Sequence, residues 1–468
     1  MAENQLGQIV NVTVALDSAP LTPAAFGRAC ILGPNAAAVG TVYTSLAGMV
    51  SDGIATTDQE YIEATSLLAQ SSETGRQVTD WLVGLRTAAV AQVVTGTLTY
   101  DAASSYTVVL SAKGLASVTV GPVAANTDAD TTAGDIATAI DASGFGARVN
   151  CAAVGSSSGQ YTVTSTQAGI PFTMTVSVTG GAATHTSATT TTNNGIAEDL
   201  AAIVAAGYSW YATIPVSRDR REIVEAAAWH ESATPSKVLF AQFSDVGDLT
   251  GAYSAASPYA DLTSELKALG YNRTATLYHA TDAAGAFSGW AGSCLPFDPG
   301  SQTWAAKKIV GITADALTSS QISILTGTPE APTGGKNANV YIPLNDTVSR
   351  TLRGMMASGR RIDQQRTIDM LQNGLETAIA NLLLSRRKIP FTNAGIAEIK
   401  GTIGGYLASK QTGNTPALNP DTPVNITVPD ASVVSTADKS ARILRNITAT
   451  AQLAGAIEYV TFALTVSV

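Results

Sequence analysis

Charge is scarce in this chain, and that scarcity is its first constraint. Asp, Glu, Lys and Arg make up 13% of the 468 residues, against roughly 25% in ordinary soluble domains. Ala, Thr, Ser and Gly fill the gap. A surface so poor in charge, yet without long apolar runs, fits a protein that covers much of itself with copies of itself. A secreted β-rich protein would share the composition. The net charge of −9 argues against direct nucleic-acid binding, because duplex affinity is dominated by neutralising phosphates. No run of about 18 apolar residues exists, which argues against membrane insertion.

Cysteine and histidine are nearly missing too. Cys30, Cys151 and Cys294 are odd in number and widely spaced, which argues against a disulfide scaffold and suits a reducing cytosol. The opening residues MAENQLGQ are polar and acidic, unlike a secretory leader. His185, His230 and His279 stand in three separate contexts, none at a zinc spacing with a second ligand type. The stretch Thr333-Gly334-Gly335-Lys336-Asn337 has Glu330 where a phosphate loop needs its first Gly, and Asn337 where it needs Ser or Thr. It reads as a turn. Gly144-Phe145-Gly146 lacks the third Gly of a dinucleotide site, and no nucleophile elbow is evident. Asp245 and Asp248 read as solvated turn residues. The expectation is therefore no enzyme, no cofactor and no metal.

What is present is strand pattern at both ends. Val10, Val12, Val14 and Leu16 alternate with polar or small residues, and so do Phe462, Leu464, Val466 and Val468, with Tyr459 just before them. Period-two alternation marks a half-buried strand. A terminal strand either pairs within its own subunit or adds to the sheet of another molecule.

The length predicts two to four domains. Residues 21–94 and 196–345 read as an α/β core. Ala29–Leu32 and Val90–Val94 are short buried strands there, and Asp58–Gln70 is a helix. From Ile196 helix and strand alternate three times, the pattern of a parallel sheet covered by helices. Residues 95–195 turn rich in Thr, Ser and Gly and read as an inserted, outward-facing β-rich domain. It carries one helix at Thr132–Ala142, capped by Thr131 or Thr132. Residues 346–454 read as a helical and β domain. Its long helix spans Arg360–Arg387, and Thr392 caps a second helix. Strands follow at Val424–Val428 and near Ala441–Leu453. Residues 1–20 and 455–468 are the strand arms. The fold class is thus α/β and α+β multidomain: a helix-covered mixed sheet core, a β-rich insertion and terminal arms.

One charge asymmetry stands out. Between Val348 and Lys388 eight basic residues (Arg350, Arg353, Arg360, Arg361, Arg366, Arg386, Arg387 and Lys388) face three acidic ones, a local balance of about +5. This reads either as a solvated helix face or as a docking strip for an acidic surface.

Three stretches carry a resemblance: RIDQQRTIDMLQNGLETAIANLLLSRRKIPFTNAGIAEIKGTI, LPFDPGSQTWAAKKIVGITADALT and AGAIEYVTFALTVSV. Together they resemble the tail sheath proteins of contractile, myovirus-like bacteriophages, most specifically over residues 288–468. The resemblance implies a virion structural subunit, assembled in the host cytoplasm, that forms hexameric rings stacked helically around a tail tube. It implies arms that pair with neighbouring subunits, and partners in the tube, baseplate and tail terminator proteins. It also makes Arg350, Arg353, Arg360, Arg361 and Arg366 the candidate tube-contact region. Two readings compete with it. One is an α/β enzyme with a β-rich binding insertion and a site at His279 and Asp282. The other is a virion surface or adhesion protein.

Overall fold

The computed structural model describes residues 26–113, 116–155 and 158–460. The arm positions Val10, Val12, Val14, Leu16, Phe462, Leu464, Val466 and Val468 lie outside the described residues. Among the described residues, 26–367 together with 455–460 form one compact unit, and Ile368–Ala454 form the other.

The core unit opens with β1 (Ala29–Gly33) and β2 (Gly40–Tyr43). Helices α1 (Leu46–Ser51), α2 (Gln59–Leu68) and α3 (Ser71–Thr74) lead to β3 (Trp81–Leu85). The insertion follows, with β4 (Val93–Leu98), β5 (Ser105–Ser111), β6 (Val118–Ala124) and α4 (Ala129–Asp141). It continues through β7 (Val149–Ala153), β8 (Gln160–Ser165), β9 (Thr173–Thr179) and β10 (His185–Thr191). The core resumes with α5 (Ile196–Ala205), β11 (Ala212–Pro215), α6 (Arg220–Ser232) and β12 (Val238–Phe243). Next come α7 (Leu262–Leu269), β13 (Thr274–Tyr278), α8 (Ala286–Cys294), α9 (Ser319–Thr326), β14 (Asn339–Pro343) and β15 (Ser349–Leu352).

The core strands join in one sheet, ordered β15-β14-β13-β12-β11-β1-β3-β2. Neighbours from β14 to β3 are parallel, and β15 and β2 close the edges antiparallel. Successive side chains on a strand point to opposite faces, so each strand feeds two helical layers. Ile31, Trp81, Val83 and Phe240 pack with Leu67 of α2 and with Phe287 and Trp290 of α8. On the other face Leu32, Leu82 and Leu239 pack with Leu200 and Ile203 of α5 and Ile223 and Val224 of α6. Strands covered on both faces lose the polar half of their alternation.

Two core elements differ from the sequence reading. The strand expected at Val90–Val94 is instead β3. Val90 makes only an isolated bridge to Asn194, and Val93 opens the insertion. Gly84 lets β3 approach α5, since a Cβ there would lie 2.6 Å from Ile203 Cδ1. Helix α8 was not expected at all. Every residue of it is buried, so it has no polar face to create a 3.6-residue signal. It crosses α2 closely because Gly292 carries no Cβ, which would fall 2.0 Å from the Leu67 carbonyl oxygen.

The insertion forms two sheets, β10-β4-β8-β7 and β6-β5-β9, with α4 packed into a core of Tyr106, Val108, Leu110, Ile136, Ile140, Tyr161 and Val163. Strand β10 is almost wholly exposed, and its HTSATTT sequence offers no apolar alternation to read. The cap of α4 is Asp128, whose carboxylate accepts from the Thr131 N–H at 2.7 Å. Thr132 lies one turn further in.

The Ile368–Ala454 unit holds most of α10 (Ile362–Ser385), then α11 (Asn393–Ser409), β16 (Asn425–Thr427), α12 (Thr436–Ala441) and β17 (Thr448–Thr450). Helix α10 has 24 residues, two shorter at each end than the expected Arg360–Arg387. Arg361 is tied up in a bridge with Met355. Thr392 caps α11, its hydroxyl accepting from the Gly395 N–H at 3.2 Å. Ile403, Leu407 and Leu418 form the small core, with Leu371, Leu375 and Ile379 of α10 against them. The strand expected near Ala441–Leu453 shrinks to β17, because Arg442 and Asn446 take positive φ of 59° and 62° and break the extended run. Residues 346–367 fold with the core, since β15 pairs with β14.

Candidate assembly surfaces

The residues first weighed for chemistry are hydrogen-bonded within the fold. His279 is buried. Its Nδ1 accepts from the Thr281 N–H at 3.0 Å, and its Nε2–H donates to the Thr313 carbonyl at 3.1 Å. Both ring nitrogens are thus used, and the Asp282 carbonyl accepts from Arg218 and Gln242. His230 spans α6 and the sheet, from the Ala226 carbonyl to the Thr213 hydroxyl, both at 2.7 Å. Burial pushes its pKa down to about 3. His185 meets the Tyr161 hydroxyl at 2.9 Å, and burial lowers it to about 4. Lys336 is buried and donates to the Asp248 and Thr250 carbonyls and to Asp261, so its ammonium is taken up by protein oxygens.

Asp248 corrects the sequence reading. It is fully buried, accepts from the Thr263 N–H and hydroxyl at 2.8 and 2.6 Å, and is held above the usual carboxylate range by desolvation. Among the described residues, no group of three or more His, Cys, Asp or Glu side chains is placed to hold a metal ion.

The hinge of the insertion depends on one side chain that sequence reasoning missed. Arg86 follows β3 directly and reaches Asp199 of α5 at 2.7 Å and Glu222 of α6 at 2.6 Å. The Thr87 N–H and hydroxyl donate to the same Asp199 carboxylate, and Asn194, on the returning segment after β10, donates to Thr87. Lys113 adds an ion pair to Glu225 at 3.1 Å. A lone Arg before Thr-Ala-Ala gives no pattern from which this hub could be read.

The arginines nominated as a contact strip are largely occupied. Arg366 is 1% exposed and donates to the carbonyls of Cys294, Phe26 and Phe297 at 3.1, 3.2 and 3.3 Å. A guanidinium used this way presents nothing to a partner, so Arg366 leaves the candidate strip. Arg361 donates to the Arg353 carbonyl at 2.9 Å and pairs with Glu458 at 2.6 Å. Arg360 bonds Gln365, Arg353 leans on the Gly327 carbonyl, and Arg350 donates to the Ser349 carbonyl. These four remain half-exposed. Arg386, Arg387 and Lys388, just past the end of α10, are exposed, and Arg386 pairs with Glu398 at 2.6 Å.

One open strand edge lies at the β16–β17 pair. It is a sheet of two three-residue strands. Every residue of β17 is exposed. Residues 417–419 extend the pairing on the β16 side, through the Leu418–Leu453 bridge and a bond from the Asn419 N–H to the Gln452 carbonyl at 2.8 Å. Among the described residues no strand pairs with the other edge of β17. A two-stranded sheet is marginal in water without further strands. Of the nominated arm residues only Tyr459 is described. It is half-exposed, and its hydroxyl donates to Glu330 at 3.2 Å.

No protein-family model and no curated protein matches the sequence. Among solved structures, the helical sheath of the anti-feeding prophage (AFP) in its contracted state aligns over 97% of this chain and 98% of that one. The identity is 11% and the TM-score 0.50. A chain of the AFP baseplate aligns over 58% of this chain and 73% of its own, with 14% identity and a TM-score of 0.43. The sheath complex of PVC, an extracellular contractile injection system, also in the contracted state, aligns over 58% and 75%, with 9% identity and a TM-score of 0.41. At such identities the likeness concerns the fold alone. The chain has the fold of a contractile sheath protein.

Proposed function

We propose that this chain is the structural subunit of a contractile sheath, polymerising as stacked hexameric rings around a tail tube in a phage-like particle. The observation that carries the reading is the alignment of nearly the whole chain with a contracted helical sheath. The open edge of β17 supplies the local chemistry. Strand addition would satisfy its unpaired N–H and C=O groups, and the alternating segments at residues 10–16 and 462–468 are the strands to add. A head-to-tail contact of this kind propagates as an open helix.

Contraction would be a rigid-body rearrangement that drives the tube through the host envelope, with the strand links keeping neighbours joined. The energy would be stored as the difference between two packings, so the proposal needs no nucleotide. The tube contact falls to Arg350, Arg353 and Arg360 of the core unit. The baseplate and tail terminator proteins are the end partners. The purified full chain should form striated or hollow tubes in negative stain, and a chain lacking residues 461–468 should fold but form no long tubes. Normal sheaths from that shortened chain would refute the strand-exchange role.

A further inference from the structure

The last described residues are held to the core unit by charge rather than by apolar contact. Glu458 pairs with Arg361 at 2.6 Å, with side-chain exposures of only 16% and 22%. The Thr303 hydroxyl donates to the other Glu458 oxygen at 3.1 Å, and Tyr459 reaches Glu330. The flanking apolar side chains do the opposite. Ile457 is 86% exposed and Val460 74%. A segment that hides its carboxylate and shows its aliphatic groups is not docked by the hydrophobic effect.

The socket is rigid. The turn that carries Arg353 and Arg361 is closed by bonds from the Met356 N–H to the Arg360 carbonyl and from the Ile362 N–H to the Gly354 carbonyl, at 2.8 and 2.9 Å. Gly354, at φ 65°, presses this turn onto Trp304, next to Thr303. A Cβ there would lie 2.8 Å from Trp304 Cβ. Arg361 donates through its second nitrogen to the Arg353 carbonyl, which brings two guanidinium-bearing residues together. Glu458 is the carboxylate that balances them.

We propose that Arg353, Arg361, Thr303 and Glu330 form a peptide-binding socket for the acidic segment Gly455–Val460, a clasp that fixes where the C-terminal segment leaves the core. Its consequence for assembly rests on the sheath reading. With Glu458 clasped, only residues beyond the socket can reach a neighbouring subunit, and Ile457 and Val460 stay turned outward. A charge-held clasp opens without exposing buried apolar surface, and salt weakens it.

The test is chymotryptic cleavage after Tyr459 in the full unassembled chain, because the protease must draw the segment out of the socket. Glu458→Gln and Arg361→Glu should each speed this cleavage about tenfold or more, the factor set by losing a charge-assisted hydrogen bond. The charge-exchanged double variant, Arg361→Glu with Glu458→Arg, should return it toward the wild-type rate. Equal rates in all four chains would overturn the clasp. Tube formation by the wild-type chain is scored separately. If cleavage follows the clasp and no tubes form, the sheath reading fails alone; if tubes form and cleavage ignores the substitutions, the clasp fails alone.

Discussion

The core unit and the Ile368–Ala454 unit bury themselves in different ways. The core packs Trp81, Trp290, Trp304, Phe240 and Phe287 out of water on the sheet face covered by α2 and α8. The smaller unit relies on Ile403, Leu407 and Leu418 under two helices and leaves Leu383, Leu384 and Val433 exposed. Its sheet has two strands, where the core's has eight. The core unit thus buries large rings against a broad sheet. The smaller unit's two-stranded sheet leaves an exposed strand edge at β17 with little core beneath it.

Removing a ring from the core should produce the largest effect. Trp290 is fully buried and donates to the Trp304 carbonyl at 2.9 Å, so Trp290→Ala should cost about 3–5 kcal/mol in urea unfolding. A loss below about 1 kcal/mol would erase the contrast between the units.

Acid should separate the units next. All three histidines lie in the core unit. His230, lowered to about 3 by burial, stays neutral in the fold while the unfolded chain takes a proton below about pH 6.5. Its contribution is intact above that pH and is lost as the pH falls toward 3, by at most about 1.4 kcal/mol per unit. Asp363, pushed up to about 6 by burial, runs the other way, taking its proton first in the folded state. The informative quantity is therefore a difference of slopes. Between pH 6.5 and 4.5 His230→Asn should lose stability less steeply than wild type, and parallel curves would remove the buried histidine from the account. In the smaller unit Asp430 and Asp438 are held below the usual range by hydrogen bonds, from Ser432 and Ser435 first. Their contribution is lost only at lower pH.

The smallest effect belongs to the smaller unit. Thr392→Ala removes the α11 cap and should cost about 1 kcal/mol, with the core transition unmoved. A shift of the core transition by the same amount would mean that the two units unfold together.

Legibility followed the same division. Helix and strand alternation after Ile196, the α2 stripe and the Thr392 cap could be read because each leaves a local period or a single cap residue. Helix α8 and β3 could not, because complete burial erases the polar half of any period. Strand β10 failed for the opposite reason, being exposed and Thr-rich throughout. Arg366 and Asp248 were assigned to the surface on residue type alone, yet both are buried against partners distant in the chain.

By itself the sequence determined the α/β core, the β-rich insertion, the capped helix α11 and the shortage of charge, because these rest on neighbouring residues and on counts. Only the tertiary structure decided which arginines are free, that Arg86 locks the hinge, and that Glu458 rather than an apolar side chain anchors the end of the described chain. Period and composition are local quantities. A polar group's partner is set by whichever distant carbonyl or carboxylate the fold brings within about 3 Å.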